Sequence, residues 1–281
     1  MKLSWKHFIN FSFLLELFLY AFSLLLALGI ALNNLSKSEV FSSGQPVDSV
    51  AAAWQFLISF ALATLILVLI LKYYKKPYLI KGLFYLAMIE GLLIFSRAYF
   101  KWPYFIVILV LILFYWFVFR NVLIHDVVIV LAVSAISVLF GFNLTPIAAI
   151  LILLIIALYD FWAVYKTKHM VKMFQGMAEA KVHFALIIPH NFKSLFNKVK
   201  EVMPQTDYMF LGTGDLAIPA IFMISCLKIN LFTSLFVALG AICGLILLHI
   251  IFITQEERRP MPGLPPIIFG AFLGFLISLL L

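Results

Sequence analysis

Ile150-Leu151-Ile152-Leu153-Leu154-Ile155-Ile156-Ala157-Leu158-Tyr159-Asp160-Phe161 is an apolar run carrying an aspartate near its end, and Leu211-Gly212-Thr213-Gly214-Asp215 places another near the start of the next. An ionised carboxylate in hydrocarbon costs roughly 2.5 to 3.5 kcal/mol on insertion scales. Two in consecutive membrane segments therefore call for a functional explanation, and we read Asp160 and Asp215 as a catalytic pair.

The runs on either side support the membrane setting. The chain has 281 residues, 65% of them hydrophobic and 11% charged, with a mean hydropathy of +1.14. Such a composition leaves too little polar surface for a soluble domain. A net charge of +8 raises the question of nucleic acid. The basic residues lie mostly between apolar runs, however, where membrane orientation explains them, so no nucleic-acid partner is expected. Cys226 and Cys243 both fall inside apolar runs, which excludes a disulfide framework. Six histidines without ligand spacing complete the expectation of no metal and no cofactor.

Runs of about 17 to 25 apolar residues mark spans. They fall at 8–32, 50–71, 82–96, 103–119, 122–141, 144–165, 208–227, 231–253 and 262–281. The chain is expected to be all-α, with nine transmembrane helices. Lys2 and Lys6 precede the first run, and Ala27-Leu28-Gly29 weakly resembles a cleavage site, but the run is too long for a signal-peptide core. Three parts follow: membrane helices over 1–165, a cytoplasmic loop over 166–207, and the last three helices over 208–281. With this count Lys2, Lys6, Lys72, Lys75, Lys76, Lys81, Arg120, the lysines between Lys166 and Lys200, Arg258 and Arg259 share one side. Lys37, Arg97, Lys101 and Lys228 lie on the other. The positive-inside rule then predicts a multi-pass cell-membrane protein with a cytoplasmic amino terminus and an extracellular carboxyl terminus.

Within the long loop, Lys168 to Ala180 suits a short interfacial helix. Val182 to Pro189 is apolar, branched or aromatic, and stopped by proline, so it reads either as a strand or as an apolar loop on the bilayer. A lone strand needs a partner, and an extended substrate is one candidate. The 33–49 stretch reads as an ordinary exterior connection.

Counted inward from the cytoplasmic face, Asp160 and Asp215 both lie about 8 to 10 Å deep at 1.5 Å per residue. Two close carboxyls in a low dielectric share one proton and titrate as a pair. The ionised member can then take a proton from water while the protonated one polarises a scissile carbonyl. Gly212 and Gly214, flanking Thr213, let the backbone bend or approach a substrate, although glycine pairs at this spacing more often serve helix packing. Pro262-Gly263-Leu264-Pro265-Pro266 lacks three backbone donors and predicts a stiff, partly extended entry to the last span, or simply a helix breaker.

Taken together, Tyr159-Asp160, Gly212-Thr213-Gly214-Asp215 and Pro262-Gly263-Leu264 resemble the motifs of the presenilin and signal-peptide-peptidase family of intramembrane aspartyl proteases. The likeness is greatest to its archaeal, presenilin-like branch, which the stretch Tyr165 to Met170 also resembles. That resemblance implies nine helices and a catalytic dyad of Asp160 and Asp215. Tyr159, Gly212, Thr213, Gly214, Pro262, Gly263, Leu264 and Pro265 would shape the site or the substrate path. The departure is Gly263, where many members have alanine. It also implies transmembrane-helix substrates met in the lipid bilayer, with their amino termini outside. No obligatory partner subunit is expected, and homo-oligomerisation stays open.

Glu16, Glu90, Asp126 and His249 also fall in or near spans. Glu16 and Glu90 are expected to pair with neighbouring helices or line a water path, Asp126 to be interfacial, and His249 to be a satisfied core residue. A proton- or cation-coupled transporter is the main rival, since membrane carboxylates also bind ions, but it predicts an internal repeat that the chain lacks. A cation channel explains the paired motifs least well, and a prepilin-type peptidase has fewer spans.

Overall fold

The computed structural model describes residues 10–35, 58, 59, 62, 77–162, 184–202, 208–255 and 261–281. The expected span at 50–71 lies almost wholly outside them, as do the interfacial helix at 168–180 and most of the 33–49 connection. Eight helices are described: α1 (Phe11–Leu35), α2 (Pro77–Tyr99), α3 (Tyr104–Phe119), α4 (Val122–Asn143), α5 (Pro146–Trp162), α6 (Thr213–Cys226), α7 (Leu231–Thr254) and α8 (Leu264–Leu280). Two strands, β1 (Ala185–Pro189) and β2 (Tyr208–Gly212), precede α6.

Four helical segments are long and apolar enough to cross a bilayer unaided: Phe11–Leu35, Lys81–Tyr99, Val122–Asn143 and Leu231–Thr254. The other four are shorter, down to 14 residues in α6. At 1.5 Å per residue that helix spans about 21 Å of a hydrocarbon core of about 30 Å. Against the expectation of nine spanning helices, the described residues hold eight helices, four of them full-length. The physical reason in α6 is that the chain enters as a strand: the run predicted as helical from 208 is extended to Gly212. An apolar stretch rich in aromatic residues is compatible with both states, and pairing to β1 decides between them. The all-α expectation is corrected accordingly by one small sheet.

Helix starts follow local chemistry. The side chain of Asn121 accepts from the Ile124 N–H at 3.0 Å, and that of Asn230 from the Thr233 N–H at 2.6 Å, so α4 and α7 begin on a side-chain cap. Inside the membrane, apolar surfaces gain little by meeting each other rather than lipid, so packing depends on close approach. The most enclosed helix, α4, accordingly buries small residues, among them Ala132, Ser134, Ala135, Ser137 and Gly141. α7 and α8 come closer still: Gly270 faces Gly240 and Gly244, and Gly274 faces Phe236 and Gly240, backbone against backbone.

This contact predicts a graded response. Gly270→Leu should lower the thermal midpoint in detergent by the equivalent of about 1 to 3 kcal/mol of overpacking. Gly82→Ala, where an added Cβ meets nothing within 4 Å, should leave the midpoint unchanged or slightly raised.

Candidate active site

The strand pair sets up the approach to Asp215. β1 and β2 are antiparallel, from Ala185 opposite Gly212 to Pro189 opposite Tyr208. The Thr213 N–H donates to the Phe184 carbonyl, so the alternating ladder turns the backbone groups of Ala185, Ile187 and Pro189 away from β2. Two helices meet that outer edge. The Ile187 N–H donates to Asp126 Oδ1 at 2.9 Å, and Ser12 Oγ donates to the Pro189 carbonyl at 3.1 Å. Asp126 is 1% exposed, so it is a buried strand anchor rather than the interfacial group expected from its sequence position. The strand expected over 182–189 forms at 185–189, and its partner is the chain's own β2.

β2 runs directly into α6, with Gly212 as the N-cap residue. Asp215 is therefore the third residue of the helix, the position from which an acidic side chain reaches back to the N-cap N–H. It does so: the Gly212 N–H is hydrogen-bonded to the Asp215 carboxyl. A Cβ on Gly212 would stand 3.1 Å from Asp215 Oδ2. The carboxyl also sits at the positive end of the helix, which favours negative charge there. Four residues on, Pro219 lacks the N–H that would bond to the Asp215 carbonyl, loosening the helix at this residue.

Asp160 lies in the last turn of α5 and is 3% exposed. Its carboxyl accepts from the Leu264 N–H at the start of α8, while Oδ2 has no partner among the described residues. The sequence predicts no regular helix before about Ile267; the structure starts α8 at Leu264, with Pro265 and Pro266 in its first turn. There the missing N–H groups cost nothing, because they would lack intrahelical partners anyway. The preceding residue, Gly263, has φ −80° and ψ −35°, so the extended expectation is corrected from Gly263 onward, with Pro262 outside the helix. A Cβ on Gly263 would meet Asp215 Oδ2 at 2.9 Å. Adjacent residues thus touch the two carboxyls, Gly263 against Asp215 and Leu264 on Asp160, and the carboxyls interact electrostatically.

The remaining predicted site residues divide. Pro262 and Leu264 are buried, Gly263, Pro265, Gly212 and Thr213 half-buried, and Gly214 exposed. Tyr159 is 59% exposed on α5 and points away from its neighbour Asp160. Glu90 is exposed on α2. Glu16 and His249, separate in sequence, meet: Glu16 Oε2 lies 3.5 Å from His249 Nδ1, with Phe13 stacked on the imidazole at 4.2 Å. Both are buried, and Glu16 interacts electrostatically with Asp215. Tyr20, fully buried on α1, is within electrostatic range of the same carboxyl, and no feature of the sequence singles it out. Among the described residues no group of His, Cys, Asp and Glu could hold a metal ion.

A family model described as signal-peptide peptidase, presenilin aspartyl protease matches residues 15–281. Two solved structures of a presenilin family intramembrane aspartate protease, in C222 and P2 space groups, resemble this fold. The first has 19% sequence identity and a TM-score of 0.67, covering 95% of this chain and 98% of that one. The second has 21% identity and a TM-score of 0.60, covering 94% and 96%. No curated protein matches the chain.

The Asp126 anchor is testable in isolation. Asp126→Ala should lower stability by about 1 to 3 kcal/mol, the cost of leaving the Ile187 N–H unpaired. Asp126→Asn, whose amide oxygen still accepts, should recover most of that loss in the same thermal melt.

Proposed function

This chain belongs to the signal-peptide peptidase, presenilin aspartyl protease family, and on that premise we propose that Asp160 and Asp215 are its catalytic dyad. The activity of the family is aspartate-dependent proteolysis in the membrane, and the transporter and channel readings find no support. What most favours the assignment of these two residues is the contact of one segment, Gly263-Leu264, with both carboxyls. An arrangement that brings two acids from different helices to one backbone segment, in a setting that penalises each, is costly unless the pair has a use.

The chemistry follows from one shared proton. The dyad in its singly ionised form takes a proton from water as the water oxygen adds to the scissile carbonyl, whose oxygen receives the proton of the other carboxyl. The tetrahedral diol then collapses: one diol hydroxyl gives its proton to the ionised carboxylate, the C–N bond breaks as nitrogen takes the proton of the other carboxyl, and the products are a carboxylic acid and an amine, with the dyad back in its singly ionised form. No covalent link to the enzyme is required, and no cofactor.

A helical peptide bond is shielded, so a transmembrane substrate must unwind locally before attack. The sequence suggests β1 as the strand that pairs with it, but an edge already occupied is a poor partner. β1 is engaged on both edges, by β2 on one side and by Asp126 and Ser12 on the other. The outer edge of β2 leads straight to Asp215, and we assign the unwound substrate to that edge, by strand addition. Gly212, Thr213 and Gly214 then shape its path, and Pro262 to Pro265 back the dyad. The helix order, nine spans with a cytoplasmic amino terminus and extracellular carboxyl terminus, extends this reading and favours substrates with their amino termini outside. Tyr159, exposed on α5 next to Asp160, is assigned to shaping the approach rather than to proton transfer.

Two measurements test it. Asp160→Ala and Asp215→Ala should each abolish cleavage of a labelled single-span peptide by the purified protein, a loss of at least about 10³-fold. Retained cleavage in either variant refutes the dyad. In the same assay, N-methylating successive substrate residues near the cut should reduce cleavage at every second position, the period of strand pairing, while a flat response removes the β2 edge from the mechanism.

A further inference from the structure

The segment that follows β1, residues 190–202, is folded against the starts of two spanning helices. The Val122 N–H donates to the Asn197 carbonyl and the Val199 N–H to the Arg120 carbonyl, both at 3.0 Å, which fastens it to the start of α4. At the start of α1, Phe11 meets Phe192 edge to face at 6.2 Å. The two starts share one level: Ser134 Oγ donates to the Ser23 carbonyl, and Ser23 and Ser134 stand equally far along α1 and α4. Both helices are long enough to span, so their starts mark a face of the bilayer, and the segment lies at that face.

Its side chains divide in two. Leu195 and Val202 are buried in one apolar cluster with Val122 and Ile187, which gives the segment a fixed shape. Phe192 and Phe196 stay outside that cluster, 63% and 55% exposed, with their rings edge to face at 5.8 Å. Lys193, Lys198 and Lys200 of the same segment are exposed, as is Arg120 on the turn that it is bonded to, and Glu201 is the one acid among them. None of these four cations has an acidic partner within 4.0 Å among the described residues.

Orientation in the membrane accounts for basic residues on this side, but not for two exposed rings held beside them. Rings and cations on one element at the bilayer boundary fit the interface itself, where apolar side chains enter the headgroup–acyl boundary and cations meet anionic lipid. The level of the segment decides for lipid over a soluble partner: headgroups are already within its reach, and negative ones complement its unpaired cations.

We propose that this segment is an anionic-lipid-binding surface: Phe192 and Phe196 insert between headgroups beside the starts of α1 and α4, and Lys193, Lys198, Lys200 and Arg120 bind the lipid phosphates. The ligand class is a phospholipid whose headgroup is net negative. Ile187 of β1 belongs to the same buried cluster as Leu195, so lipid held here also steadies the strand pair that leads to Asp215. The surface includes neither Asp160 nor Asp215 and does not rest on their assignment.

Native mass spectrometry of the purified full chain in detergent, titrated with phosphatidylglycerol and with phosphatidylcholine, tests the surface directly. The wild type should retain phosphatidylglycerol about ten- to a hundredfold more tightly, as several cations near anionic headgroups provide. Combining Lys193→Gln, Lys198→Gln and Lys200→Gln should reduce that preference to within about threefold while leaving the thermal midpoint at the wild-type value, since all three side chains are exposed. Phe192→Ser with Phe196→Ser should weaken both lipids alike and keep the preference. Lys101→Gln with Lys228→Gln, exposed at the opposite helix ends, should behave as wild type. A wild type that prefers neither lipid overturns the inference and leaves the rings to a protein partner. A triple lysine variant that keeps the preference overturns it too, as does equal loss in the Lys101 and Lys228 variant. Displacement of phosphatidylglycerol by an equal concentration of glycerol phosphate would do the same, because it marks a site for soluble anions in which the rings have no part.

Discussion

Hydrocarbon offers no hydrogen bonds, so a carboxyl can be held within it only by donors from the protein or from enclosed water. Here the donors come from two helix starts. The first N–H groups of a helix have no partner inside it, and at α6 and α8 one such group at each start is turned to an acid. Asp215 takes the Gly212 N–H at the start of its own helix, and Asp160 takes the Leu264 N–H of another. Pro265 and Pro266 remove two of the competing donors at the second start, so Leu264 is left to make the bond. The separation of the acids is thereby set by backbone rather than by flexible side chains.

Everything else supports those two starts. The β1–β2 pair delivers the chain to Gly212 in an extended conformation, and its outer edge is fastened by Asp126 from α4 and Ser12 from α1. On the opposite flank, the glycine faces of α7 and α8 bring their backbones into contact just beyond Pro266. α8 therefore cannot shift along α7 without breaking close packing at several levels. Several of the polar residues buried among the described ones locate these elements: Ser134 and Ser137 tie α4 to α1 and α6, and Glu16 ties α1 to α7.

Much of this was legible in the sequence, and the boundary of legibility has a physical cause. Asp160 and Asp215 stand out because an acid in an apolar run is expensive, and Val182 to Pro189 because its branched residues end on a proline. The direction of Tyr159 was not readable: α5 is apolar all round, so its sequence has no polar face from which to orient one residue. The same ambiguity hid the strand at 208–212, since an apolar run satisfies both periods and its partner lies some twenty residues away. Glu16 and His249 lie more than two hundred residues apart, and no spacing rule joins them. Tyr20 looked like one more aromatic residue in a helix rich in them.

Gly263 shows how a departure from a family pattern can be read physically. A methyl at this position would stand 2.9 Å from Asp215 Oδ2, closer than a carbon and an oxygen can rest without a shift. The Asp215 carboxyl therefore occupies space that an alanine would share, and it leans toward the start of α8. That lean shortens its path to the segment whose next N–H holds Asp160. The absent methyl thus acts in the same direction as the glycine contacts between α7 and α8: both let α8 close on the acids, and the approach of the two carboxyls is set by how tightly that one helix start can pack.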